Sequence, residues 1–555
     1  MSVARDTLRW NGWGRLGHSF ALSGRREAAV LQELGRRLGR DVRAVREPVD
    51  LDDVPIPPSR VSEETLLRLR AACGEDGVRL SPLERISHAT GRSLPDLLRL
   101  RRGELAAAPD VVVYPPDEGA VAAVLRVAAA AALAVVPFGG GTSVVGGVEP
   151  RSAPHQRGVL CLDTTRLDRL VHLDRCSRTA TFQAGIDGPA LERELGARGF
   201  TLGHFPQSFE HSTLGGWIAT RSSGQLSGLY GGIEERLVAV RVVAPAGVVR
   251  TVPVPRSAAG PDLGALVLGS EGTIGVIVEA TLRVAPAPAH RAARGALLPD
   301  FASGVAALRE LAQAGIPLAM ARLSDADETE LFQVLRRDPG RRVDPTALAL
   351  RAAAALGYGP GRCAVIYAAE GEHRREVSSL MARARRVLRR AGGLPLGASP
   401  GRAWRRDRFR TPYLRDWLLD HDVAVDTLET AVPWSRVETA HRDVLRALQT
   451  SLARHAGGGL AMAHLSHSYP DGACLYFTVI YPLDAPGGVK QWEAIKTDAT
   501  RAVLAAGGTL SHHHGVGLDH APWLGEEKGA LGMAALRAVK AVLDPAGLLN
   551  PGKWA

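Results

Sequence analysis

Gly139, Gly140 and Gly141 stand in a row behind an apolar run, 133–138, and ahead of Thr142 and Ser143. A strand that ends in three glycines lets backbone N–H groups approach a phosphate with no Cβ in the way. The two hydroxyls add donors. The spacing is not GxxxxGK[ST], and no lysine is near, so this is not an ATPase P-loop. Nor is it GxGxxG opening a helix with an acid about twenty residues later, the dinucleotide fingerprint. A plain glycine-rich turn is the alternative. Two more small-residue segments accompany it: PQSFEHSTLGGWIATRSSGQLSGLYGG at 206–232 and GSEGTIGVI at 269–277. A structureless connection as long as the first is usually functional. Three such segments can wrap a long phosphorylated ligand such as a dinucleotide. A separate group of imidazoles sits at His464, His467 and His512 to His514. Neutral histidines can polarise a carbonyl or stabilise charge, and they are also metal ligands. Three consecutive side chains in a loop cannot all face one point.

Regular elements must hold these residues. Residues 1–104 read as helical, with apolar residues at three- and four-residue spacing over 24–46 and 63–74. A helix pair follows at 81–102, where Ser81 caps and Pro82 opens. From 105 to 288 the pattern becomes α+β. It has a strand at 110–113, a helix at 118–132 and a strand at 133–137, then strands at 158–163, 180–184, 237–243, 248–252, 265–268 and 275–284. Residues 289–505 read as a second α+β unit with strands at 364–368 and 474–480. The last segment, 506–555, carries helix from 528 to 543 after one at 489–506, and it ends in DPAGLLNPGK.

Composition narrows the function. The chain has 555 residues, 45% hydrophobic and 23% charged, which suits a folded protein. No fixed-length repeat is present. The net charge is +10, but only five of the 68 basic residues are lysine, the arginines are scattered, and aromatics are 5%. Nucleic-acid binding needs basic residues gathered with aromatics on one face, so it is not expected. Five cysteines without a CxxC pair predict a reducing, cytoplasmic setting. The N-terminus lacks an apolar signal core. The most apolar stretch, 127–138, is shorter than the ~20 residues a membrane span needs.

Taken together, PFGGGTS, PQSFEHSTLGG, TRSS and GSEGTIGVI resemble the FAD-binding domain of the vanillyl-alcohol oxidase / p-cresol methylhydroxylase superfamily. From RWNGWG at 9–14 onward the chain resembles, within it, the alkyldihydroxyacetonephosphate synthase family. RTPYLRDWLLD (410–420), ETAVPWSRV (429–437), YPDGACLYF (469–477) and GGTLSHHHGVG (507–517) carry that likeness. The resemblance implies an α+β fold, with a PCMH-type FAD-binding domain, an α+β cap and an N-terminal helical extension. It implies pyrophosphate contacts on Pro137, Phe138, Gly139, Gly140, Gly141, Thr142 and Ser143. Isoalloxazine and ribityl contacts fall on Gln207, Ser208, Phe209, Glu210, His211, Ser212 and Thr213, and on Thr220, Arg221, Ser222 and Ser223. Adenine-side contacts fall on Glu271, Gly272, Thr273, Ile274, Gly275, Val276 and Ile277. PFGGGTS holds no His or Cys of the kind that tethers flavin in some members, so noncovalent FAD is expected.

For the chemistry, the resemblance makes Tyr476 the proton-transfer group and His512, His513 and His514 catalytic. It makes Arg415 and Arg322 substrate-binding. His464 joins the substrate pocket at a position where the ether-lipid enzymes look to carry arginine. On their own residues, Tyr476 could be a packed strand tyrosine and Arg415 an ion-pair partner of Asp416 or Asp420. The FAD-linked D-2-hydroxyacid dehydrogenases show a metal-site-like His pair and acid. Here Tyr476 and His513 stand at two of those places, so no metal is expected. The implied reaction exchanges the acyl group of acyl-dihydroxyacetonephosphate for a long-chain alcohol through a flavin N5 adduct, without net redox. A lipid-like small molecule is thus the expected partner, with peripheral membrane contact and a homodimer as family features. The alternatives are an FAD-linked oxidoreductase of a 2-hydroxy acid or alcohol, and a flavin-binding protein that has lost catalysis.

Overall fold

Val111–Val113, the helix Glu118–Ala130 and Leu133–Phe138 form a strand–helix–strand unit in the computed structural model. The structure describes residues 7–18, 22, 24–42, 45–336, 345–484 and 487–554. Asp117 starts the helix by accepting the Ala120 N–H at 2.8 Å. Gly158–Asp163 lies between the two strands and pairs with both in parallel. Its residues and the valines beside it are buried on both faces, as a covered parallel sheet requires. The chain end returns here. Val135 donates to the Leu548 carbonyl and Asn550 to the Val135 carbonyl, both at 2.8 Å. The LLNPGK tail therefore braces the strand that feeds the glycine run.

A five-stranded antiparallel sheet follows, ordered Leu170–Asp174, Thr179–Gln183, Val276–Arg283, Leu237–Ala244, Gly247–Arg250. Three expectations need correction. The strand expected at 265–268 is instead a helix, Leu263–Val267, because Asp262 caps it by accepting the Gly264 N–H. The 206–232 segment is not structureless. It contains short helices at Leu214–Thr220 and Ser227–Tyr230. The helix expected over 24–46 ends at Leu38, where Gly39 takes a left-handed φ of 65°. Residues 43 and 44 of that reading lie outside the described residues. The Ser81 cap and first-turn Pro82 are present.

The largest element is a seven-stranded sheet. Its order is Leu394–Gly397, His290–Leu298, Cys363–Gly371, Met320–Ser324, Leu460–Ser468, Gly472–Pro482, Val423–Pro433. Side chains alternate between its faces. One face packs a large apolar core against the helices Phe301–Gln313, Arg374–Arg390, Val437–Ala456 and Gly488–Ala505. The opposite face looks onto the cavity described next. Among the described residues, no helix is long and apolar enough to cross a membrane.

Candidate active site

A cavity of 1510 Å³ runs from the glycine loop to the seven-stranded sheet. That exceeds the roughly 300–1,000 Å³ of most small-molecule pockets, and so has room for a cofactor and a second ligand. Its near wall is the backbone of 137–143. Among the described residues, the N–H groups of Gly140, Gly141, Thr142 and Ser143 donate no hydrogen bond. A row of free amides is an anion nest. Side chains would destroy it: a Cβ on Gly141, which has φ 65°, would lie 2.5 Å from the Phe138 ring. Gly272, φ 71°, leaves no such room either, with Pro137 at 2.9 Å. These residues fit the pyrophosphate of FAD. Gln207, Ser208, Ser212, Thr213, Thr220, Ser222, Ser223, Glu271, Gly275, Val276 and Ile277 line the same cavity.

Other expected contacts stand behind that lining. Phe209 stacks on Phe409 with ring centroids 5.4 Å apart. Ile274 is buried in the core below, and the Thr273 hydroxyl donates to the Ser270 carbonyl at 2.7 Å. Arg221 ends its helix in a left-handed conformation and is exposed. Glu210 and His211 are likewise absent from the wall.

The far wall is the sheet face. Pairing places His464 opposite Tyr476 and Tyr476 opposite Glu429, so one row crosses three strands. The His464 and Tyr476 rings stack at 4.9 Å. Arg322, two residues from Ser324, which faces His464 in the register, reaches the same row. Its guanidinium donates to Glu328 at 2.9 Å and lies 3.2 Å from His464 Nδ1. Arg415 enters from the helix Thr411–Asp420 and donates to the Arg92 carbonyl at 2.8 Å. Its Nε is buried without a partner, and it forms no ion pair with Asp416 or Asp420. Asp420 pairs with Arg101 and Asp416 with Arg9. A buried guanidinium with an open donor suits an anionic ligand.

The histidine loop is held by two carboxyl groups. Glu429 accepts the N–H groups of His512, His513 and His514 at 2.6, 2.9 and 2.9 Å, and the Ser511 hydroxyl at 2.8 Å. From the other side, Glu271 accepts Val516 N–H at 3.1 Å and Gly517 N–H at 2.9 Å. The three imidazoles are thus fanned out around Glu429. His513 and His514 line the cavity, and His512 does not. His512 Nε2 meets the Tyr469 hydroxyl at 2.6 Å, and its Nδ1 meets His513 Nδ1 at 2.8 Å. If Tyr469 donates to His512, then His512 Nδ1–H donates to His513 Nδ1. That leaves an Nε2–H on His513 for the cavity. In the reverse assignment His513 Nδ1–H points between His512 Nδ1 and Glu429, which lies 3.4 Å away.

Charges follow from burial and these partners. Burial pushes the Tyr476 phenol up to about 12, against the pull of Thr427, so it is protonated near neutrality. Burial alone would raise the Glu328 carboxyl, but Arg322 and His464 overcome it and hold it at about 2. Glu429 is likewise held well below the carboxylate range, against burial, by the three histidines. Burial lowers His512 to about 4, His514 to about 3, His520 to about 4 and His204 to about 3. These groups are depressed in the folded state, so the unfolded chain binds more protons below its ordinary value of about 6.5. Stability is therefore expected to be full above that value and to fall as pH drops toward about 4. The thermal midpoint measured against pH checks this, and His520→Gln should flatten the slope. A midpoint unchanged between about pH 7 and about pH 5 would contradict it.

His467, Cys474, His512 and His513 bring ligand atoms within 4.8 Å of one another. Their lone pairs are committed to each other and to the protein. His467 contacts Ser466 Oγ at 2.9 Å and the Gly224 carbonyl at 3.1 Å. Burial pushes the Cys474 thiol well above its usual range. Glu429, Glu328 and Tyr469 were not singled out from the sequence. Glu429 opens the ETAVPWSRV segment, but nothing in the sequence sets it apart from Asp426 on the same strand.

The chain is similar to known proteins in sequence and in fold. Residues 109–253 match the family described as "FAD binding domain", and residues 287–554 that described as "FAD linked oxidases, C-terminal domain". A solved structure of p-cresol methylhydroxylase with substrate bound shares the fold, with TM-score 0.66 at 15% identity over 90% of this chain and 98% of that one. A solved alkyldihydroxyacetonephosphate synthase superposes with TM-score 0.84 at 30% identity over 99% of each chain. The alkyldihydroxyacetonephosphate synthase of Trypanosoma brucei brucei is 32% identical over 568 residues, spanning 99% of this chain and 92% of that protein. With a glycine-lined anion nest on one wall and Tyr476, Arg322, Arg415, His513 and His514 lining the cavity beyond it, the chain belongs to the alkyldihydroxyacetonephosphate synthase family of FAD-binding proteins.

Proposed function

We propose that this protein makes an ether lipid precursor, replacing the acyl group of an acyl-dihydroxyacetonephosphate with a long-chain alcohol. The reading divides the chain into an N-terminal helical region (1–104), an FAD-binding domain (105–288), a cap (289–505) and a C-terminal segment (506–555). When bound, FAD supplies an electron-accepting ring against which the dihydroxyacetonephosphate portion is activated. Arg415 and Arg322 grip the anionic substrate. The Tyr476 hydroxyl donates a hydrogen bond to the departing acyl oxygen and handles the proton of the incoming alcohol. His513 and His514 polarise the reacting group, and His512 orients them through its Tyr469 and His513 contacts. The bond from the sugar carbon to the carboxylate oxygen breaks, a bond from that carbon to the alcohol oxygen forms, and the alcohol proton leaves. No electron is gained or lost overall.

The observation that carries this reading is the apolar end of the cavity. Leu331, Leu335, Leu414, Leu418, Met462 and Ile480 line it and pack together as one apolar cluster. A small hydroxy acid would leave that surface unused; an aliphatic chain would cover it, at about 0.8 kcal/mol per buried methylene. A cytoplasmic enzyme drawing its substrate from a membrane surface fits such a slot. The test is formation of alkyl-dihydroxyacetonephosphate by the purified holoprotein from acyl-dihydroxyacetonephosphate and hexadecanol. Bleaching of the flavin by D-lactate, with no ether product, would overturn the reading. Arg415→Lys is expected to raise the KM for the acyl substrate about 10–100-fold, because one ammonium cannot replace a charged fork. Steady-state kinetics against substrate concentration reads that change.

A further inference from the structure

Arg408 directly follows the helix Ser399–Asp407 and lines the catalytic cavity. Its guanidinium lies over three aromatic rings, 4.7 Å from the Phe205 centroid, 4.6 Å from Phe409 and 5.7 Å from Trp404. Phe205 comes from the glycine-rich 200s segment and the other two from the cap, so the charge stands at the seam between the cavity's two walls. Its backbone is fixed as well. The Arg408 carbonyl accepts Gln207 Nε2 at 2.6 Å and Gln225 Nε2 at 3.2 Å.

What the guanidinium lacks is an acceptor. Among the described residues, it donates no hydrogen bond and pairs with no carboxylate. Rings over its faces leave only the in-plane N–H groups for bonding. Arg408 is half-buried on the cavity lining, so its unmatched donors are open to an acceptor that enters the cavity. Burial, with Arg405 nearby, lowers its pKa to about 10, so it stays cationic near neutrality. The other cationic pole is differently arranged: the Arg322 charge is already matched by Glu328 at 2.9 Å.

We propose that Arg408 forms a second oxyanion site in this cavity, one that takes an anionic group of the substrate or product edge-on between aromatic rings. The inference rests on the proposed reaction for the identity of that group. The reaction has two oxyanions, the phosphate monoester that stays and the fatty carboxylate that departs. Arg415, with Arg322, can hold one. Arg408 holds the other.

The experiment titrates the FAD-loaded protein with glycerol 3-phosphate and, separately, with laurate by calorimetry, for the parent, Arg408→Gln and Arg408→Lys. Arg408→Gln is expected to weaken one of the two ligands about 10–100-fold, with bound flavin at the parental level. Arg408→Lys, which keeps the stem and charge but loses the fork, weakens the same ligand less. Loss confined to glycerol 3-phosphate assigns the phosphate, and loss confined to laurate assigns the departing acid. Unchanged affinity for both ligands in Arg408→Gln would overturn the site, as would a parent that binds neither. Loss of flavin from both variants would also overturn it, because the guanidinium would then serve the cofactor. The readout needs no turnover. Selective loss of binding in a protein that makes no ether product would keep the site and sink the proposed reaction, and the opposite pattern would do the reverse.

Discussion

Glu429→Gln is expected to lower kcat at least about 100-fold while leaving the KM values close to parental. The carboxylate accepts from three successive N–H groups and one hydroxyl. An amide has only one oxygen. Its NH₂ would face the His512 N–H, donor against donor, and the loop would have to move. A displacement of about 1 Å at a catalytic group costs on the order of 10²-fold. Replacing a charge-assisted bond by a buried donor without a partner also destabilises by about 1–3 kcal/mol. Because Glu429 acts through the histidines, the absorbance band of bound flavin should shift in the variant. Glu429→Asp, which keeps the charge on a shorter stem, should recover part of kcat and guards against a folding failure. Parental kcat in the glutamine variant would show that the loop holds its shape without this residue.

Tyr476→Phe is expected to reduce kcat about 10²–10⁴-fold, the range for a positioned proton-transfer group. The phenyl ring can keep the stack on His464, so FAD content, stability and KM should change little. The loss should persist across pH, because burial holds the parental phenol at about 12 and it does not titrate in the working range. Rapid-quench turnover of the acyl substrate reads the chemical step directly. A variant as fast as the parent would remove Tyr476 from the mechanism.

The glycine-lined wall of the cavity was largely legible in the sequence, because glycines are forced by local geometry. Gly141 and Gly272 have positive φ and no room for a Cβ, and those are properties of the residue itself. The row on the facing sheet was less legible. Tyr476 and His464 could be named only through a resemblance, since what unites them with Glu429 is the register of strands that lie far apart in the chain. The three histidines could be seen as a group, but not that His512 turns away to Tyr469. Arg408 is one arginine among many, and only its aromatic surroundings set it apart. The fold showed the same division. Helix starts at Ser81 and Asp117 were local signals. The strand His290–Leu298 (HRAARGALL) was missed because alanine and arginine blur its alternation, and the large sheet overrides the weak propensity.

The most direct test of the central claim, a redox-neutral exchange at an FAD site, is an anaerobic incubation of the holoprotein with acyl-dihydroxyacetonephosphate and ¹⁸O-labelled hexadecanol, followed by mass spectrometry of the lipid products. The prediction is one alkyl-dihydroxyacetonephosphate carrying the label for each fatty acid released, with the oxidised flavin spectrum intact at the end and no electron acceptor needed. Consumption of substrate only when an acceptor is added, with reduced flavin and no labelled ether, would contradict it.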